Sequence, residues 1–163
     1  MNTLELTIRR KVDECGDWLA QKAQSLVNQT EIYRNNSGMK DDQLHKIALL
    51  ASWTQSVRKV VARLEHQTGK DLGDIGNNKR GKRWAWGARR QNNNLRDQEQ
   101  AFGNQLKVVL TEELYQQANQ LASDISEAER DENLVKQIHI RLVRSFLQLL
   151  IWTFGYQNVT QGG

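Results

Sequence analysis

The chain has 163 residues, one cysteine and no proline, and 38% of its residues are hydrophobic, which supplies one core but no surplus for a bilayer span of about 20 apolar residues. Cys15 alone excludes an internal disulfide and fits a reducing, cytoplasmic setting. The net charge of +4 is local: six of the 23 Lys and Arg lie in residues 77–94 with no acid, while the other 17 face 19 Asp and Glu.

The missing proline and the abundance of Gln, Leu, Ala, Glu and Arg predict a single all-α domain over residues 1–163. Residues 3–33 read as one long helix. Thr3 is placed to cap it, and Leu4, Ile8, Val12, Cys15, Leu19 and Leu26 recur at helical spacing. Cys15 lies on that stripe, as a small buried hydrophobe does, rather than as a nucleophile. "RNNSGMKD", residues 34–41, reads as a loop. A second helix starts near Asp42 on the stripe Leu44, Ile47, Ala48 and Ala51. The phase slips at 52–56, where Ser52 or Thr54 is expected to cap a third helix built on Val57, Val60, Val61 and Leu64. Arg58, Lys59 and Arg63 are expected on its outer face, with Lys70 just beyond, and Gly69 is expected to end it in a left-handed cap.

Residues 69–96 carry five glycines before residue 90 and no hydrophobic period, so they read as a long basic loop. Helix resumes near 97, with Phe102, Leu106, Leu110, Leu114, Ala118 and Leu121 on one face. Ser126 to Glu129 has the spacing of a capping box. The last helix carries Leu134, Ile138, Leu142, Phe146 and Leu149 through to Trp152. Gly155 is expected to end it, leaving 157–163 as a flexible tail. The whole is a compact bundle of five or six helices.

The strongest functional signal is "NNKRGKRWAWGARRQNNN", residues 77–94. Lys79, Arg80, Lys82, Arg83, Arg89 and Arg90 offer affinity for phosphates without regard to sequence. Trp84 and Trp86 suit stacking on unpaired bases. On an extended segment they point opposite ways, which predicts one anchored on the core and one exposed. Arg58, Lys59 and Arg63, with Arg141 and Arg144 on the last helix, make a second candidate surface, although clustered cations also occur as plain solvated residues.

Other chemistry finds little support. His45, His66 and His139 lack partners at metal-ligand spacing, although His66 sits beside the basic face. No phosphate-binding loop and no nucleophile elbow are present. Asp41–Asp42 and Asp71–Asp74 are carboxylate pairs of the kind a nuclease uses, but such pairs near glycine are common in turns. The expectation is a protein without enzymatic activity and without cofactors or metal.

Two segments resemble a known family. "SVRKVVARLEHQTGK", residues 56–70, resembles the middle helix of the small all-helical subunits of type III CRISPR effector complexes, which ends in a Gln-x-Gly-basic turn. "QIHIRLVRSFLQLLIWTFGYQ", residues 137–157, resembles their C-terminal helix with its aromatic-Gly-aromatic end. The resemblance implies a non-catalytic bundle that packs against copies of itself and other subunits. It also implies contact with the guide and target RNA backbone without reading sequence, with Arg58, Arg63 and Lys70, and less directly Arg141 and Arg144, as matching cations. The loop is longer than the family pattern, so it serves either as an RNA contact or as a docking arm. Two rival readings are a helical DNA-binding regulator and a protein–protein scaffold whose basic arm docks an acidic partner.

Overall fold

The computed structural model describes residues 2–126 and 130–163. The N-terminal apolar stripe forms two helices rather than one, α1 (Thr3–Glu14) and α2 (Gly16–Thr30). Cys15 sits between them at φ −84°, ψ 1°, outside helical geometry, and its N–H turns back to the Val12 carbonyl. The break lets Ile8 and Val12 reach the core at a different angle from Leu19, Ala23 and Leu26, and Cys15 is buried as expected. Asn2, not Thr3, is the cap: its Oδ1 accepts from the Glu5 N–H at 2.7 Å.

Helix α3 (Asp41–Trp53) and helix α4 (Val57–Gly73) meet at the predicted break. Ser56 caps α4 by accepting from the Lys59 N–H, and the Thr54 hydroxyl accepts from the Ser56 N–H, so the expected caps are displaced by two to four positions. Gly69 does not end α4. The helix runs a turn further because Thr68, inside it, is buried against Gly103 of the next helix. A Cβ at Gly103 would lie 1.8 Å from the Thr68 hydroxyl, so only glycine permits this crossing.

Helix α5 (Phe102–Val108), a π-helical segment (Val109–Glu113) and helix α6 (Leu114–Ile125) form one continuous rod. Phe102, Leu106, Leu110, Leu114, Ala118 and Leu121 all face the core from it, as their spacing predicts. The Ser126–Glu129 capping box falls partly outside the described residues. Helix α7 (Glu132–Gln161) is capped instead by Asp131, whose Oδ1 accepts from the N–H groups of Asn133 and Leu134.

At 30 residues, α7 spans about 45 Å and packs against α2, α3 and α6. Leu134, Ile138, Leu142, Phe146, Leu150 and Phe154 are buried along it, each worth about 1.5–3 kcal/mol of transfer free energy. Gly155 does not end it, and the expected tail is ordered helix to Gln161. Asn158 donates to the Tyr33 carbonyl, and the Asn35 N–H donates to the Gly162 carbonyl, which ties this end to the α2–α3 corner. The described residues thus form six helical rods (α1, α2, α3, α4, the α5–α6 rod and α7), an all-α architecture with one small exception.

That exception replaces the expected long loop. Residues 74–101 contain single helical turns at Arg83–Ala85 and Gln98–Gln100 and a hairpin of β1 (Arg89–Gln91) and β2 (Asn94–Arg96). Asn92 and Asn93 form its two-residue turn at φ 51° and 65°, the left-handed pair that matches strand twist. Ile75, Ala85, Ala88 and Ala101 make a small core of their own, closed by Leu72 and Leu95. No helix among the described residues is long and apolar enough to cross a membrane.

Candidate nucleic-acid interface

The cations expected to act together separate into three groups. Lys59, Arg63 and Lys70 are exposed and recur on one face of α4, with exposed His66 between them. Their spacing (i, i+4, i+11) makes a stripe about 16 Å long. None has an acidic partner among the described residues. Arg58 is turned away from this stripe and lines a groove toward α7 with Val61, Ala62 and Glu65.

The second group lies in the central segment, and its cations make no ion pair among the described residues although Asp71 and Asp74 lie beside them. Lys79, Arg80 and Lys82 are exposed and line a depression of about 410 Å³ with Asp74, Asn36 and an edge of Trp86. Lys82 packs beside Gly38 of the α2–α3 corner, and Lys70 is in the last turn of α4, just before this segment. Stripe and segment are therefore neighbours in chain and in space, since α4 packs directly on the turn at Arg83–Ala85.

The third group is engaged in holding the fold. Arg83 pairs with Asp71 at 3.4 Å, and Arg89 with Asp97 at 3.1 Å. Arg90 donates to the carbonyls of Ile75 and Asn93. Arg144 donates to the carbonyls of Ala51 and Thr54, both at 2.8 Å, and so satisfies the open C-terminal end of α3. Burial pushes its pKa down, helped by the charge of Arg141, which is itself partly buried. Arg144 is thus engaged as a structural cap.

The two tryptophans do not divide as expected. Neither lies on an extended segment; they flank Ala85 in a tight turn. Trp84 is 3% exposed and stacks on Phe102, with ring centroids 5.8 Å apart. Trp86 is half-buried, packs on the core, and its indole N–H donates to the Thr30 carbonyl at 2.7 Å. Both rings anchor the basic segment from beneath. Asp71 completes the anchor. Its buried carboxylate accepts from the Trp84 N–H and from Arg83, which accounts for one member of the carboxylate pair at 71 and 74. Among the described residues no three His, Cys, Asp or Glu side chains cluster as metal ligands would.

A grouping invisible in the sequence lies across α4, the α5–α6 rod and α7. His139 Nε2 donates to the Leu110 carbonyl at 2.7 Å, and the Tyr115 and His139 rings meet edge to face at 5.5 Å. Leu110 belongs to the π-helical segment. Burial lowers the His139 pKa, against the opposing effect of the hydrogen bond to Leu110, so the ring is neutral at pH 7.

No family model, curated protein or solved structure matches the chain.

Proposed function

We propose that this chain is a non-catalytic subunit of a ribonucleoprotein that holds an RNA backbone without reading its sequence, of the kind found as the small subunit of type III CRISPR effectors. The observation that carries the reading is the stripe of Lys59, Arg63 and Lys70, exposed and without ion-pair partners among the described residues, running toward Lys79, Arg80 and Lys82. Like charges spaced on one helix face repel, and a polyanion relieves that repulsion. The tryptophans support the reading indirectly: they fix the basic segment in place so that its cations meet phosphates without first being ordered.

The resemblance to the family is mixed at the two quoted segments. Gln67 to Lys70 lies inside α4 and forms no turn. At the other end, Trp152 and Tyr156 are exposed on α7 while Phe154 is buried. Trp152, Tyr156 and Val159 recur on one face, which suits packing against a neighbouring subunit or a second copy.

Titration of single-stranded RNA into the purified protein at several salt concentrations tests the reading. With six cations engaged, log K falls against log salt with a slope of about −4, and scrambled sequences bind alike. The triple variant K59A/R63A/K70A halves the slope to about −2 without lowering the melting temperature. A slope near zero, one preferred sequence, or tighter binding to duplex DNA than to RNA overturns it. The last outcome would favour the DNA-binding alternative. Metal-dependent RNA cleavage by the wild type that is lost in the Asp71→Asn variant would also overturn the reading.

A further inference from the structure

The groove beside the basic stripe has features of a ligand site rather than of a plain surface furrow. It is a half-open groove of about 770 Å³, a volume comparable with small-molecule pockets. One wall is apolar, formed by Val57, Val61 and Ala62 of α4. The opposite wall is aromatic, formed by Tyr115 and His139. Arg58 and Lys136 stand on its rim and have no acidic partner among the described residues, whereas Lys107 is already paired with Glu65 at 3.0 Å. The His139 tautomer follows from its partner: a carbonyl only accepts, so Nε2 carries the proton and Nδ1 is left as an acceptor. The rod lining this groove is also the one that carries the π-helical turn, a feature often found where side chains are re-aimed for function.

An apolar slot with an aromatic wall and, at its mouth, two cations without acidic partners among the described residues fits a flat heterocycle that carries a phosphate. From this geometry we propose that the groove takes one nucleotide, its base between Val61 and the Tyr115–His139 wall and its phosphate on Arg58 and Lys136. The nucleotide is an unpaired residue of the bound RNA, so the proposal builds on the RNA-binding reading above. It adds a second mode of contact: the stripe holds backbone, and the groove holds a splayed-out residue. Bases already stacked in a duplex are unavailable to it.

The test is an NMR titration of the full chain, reading the side-chain signals of Val61, Tyr115 and His139. UMP and AMP are the free-nucleotide probes, with inorganic phosphate as a control. Both nucleotides are expected to shift all three residues saturably, and phosphate to leave Tyr115 and His139 unmoved. Ala62→Trp fills the slot from an exposed helix position without removing a charge. It is expected to weaken UMP at least tenfold with the circular dichroism spectrum unchanged. A single-stranded oligouridylate is expected to reproduce the UMP shifts at lower concentration, and a blunt RNA duplex to leave them unchanged.

No saturable shift with UMP, unchanged binding in the Ala62→Trp variant, or full reproduction of the shifts by phosphate overturns the nucleotide site. Shifts with UMP but none with the oligonucleotide overturn its assignment to an RNA residue. The K59A/R63A/K70A variant is expected to keep the UMP shifts, so loss of the backbone stripe and loss of the groove are read separately.

Discussion

Trp84 shows how a single side chain orders a segment that composition alone marks as solvated. Its ring is buried on Phe102 and its backbone N–H is held by Asp71. Trp84→Ala is therefore expected to destabilise the chain by about 3–5 kcal/mol in urea unfolding. Trp86→Phe loses the bond to the Thr30 carbonyl together with part of the indole's packing on the core, a cost of about 1–3 kcal/mol. If Trp84→Ala melts normally, the buried-anchor account of the segment is wrong. His139 makes a prediction with pH. Burial holds its folded pKa below the unfolded value of about 6.5, so between the two the unfolded chain binds more protons. Stability then falls as pH drops through about 6.5 and levels off below the folded pKa. His139→Gln keeps a donor for Leu110 and should flatten that slope in equilibrium unfolding followed against pH. Glu31, held below its ordinary value chiefly by its hydrogen bond with Arg34, acts in a more acidic window and is untouched by this variant.

The hairpin between Arg89 and Arg96 is an element whose signal was present in the sequence but was hidden by its setting. Two short runs separated by Asn92–Asn93 have the length of a two-residue turn, and asparagine tolerates the left-handed conformation both positions adopt. Charge and glycine content point toward a loop instead. Asn93→Gly should leave the melting temperature unchanged or slightly raised. Asn93→Val, β-branched at a φ of 65°, should cost about 1–2 kcal/mol. Equal melting of the two variants would mean that the turn does not hold the segment's register. Longer elements were easier to read. The stripe from Phe102 to Leu121 was legible because every member points inward from one rod, even across the π-helical turn. Boundaries were not legible, because they depend on tertiary partners. Gly69 lies in a helix stabilised by Thr68 against Gly103, and Gly155 lies in a helix held at its far end by Asn158. Neither contact leaves a local mark.

Across the whole molecule, the split between free and engaged cations was the part of the candidate site that sequence could not supply. Arg144 and Lys59 look alike in a sequence, yet one caps α3 across 90 or more residues and the other faces solvent. The Tyr115–His139 groove was hidden for the same reason, since its walls come from three helices distant in the chain. What remains outside the core is also informative. Trp152 is 63% exposed and Tyr156 68%, and with Val159 they leave a large apolar stripe uncovered on the longest helix. Removing such side chains costs an isolated chain little, within about 0.5 kcal/mol, because about two-thirds of each aromatic already faces solvent. If the stripe packs against a second copy, as the subunit reading allows, sedimentation velocity should show self-association that rises with concentration. The double variant W152A/Y156A should remain monomeric at every concentration with an unchanged melting temperature. Identical monomeric sedimentation of wild type and variant would remove self-packing from the proposed assembly. A lowered melting temperature in the variant would show instead that the two rings stabilise the single chain.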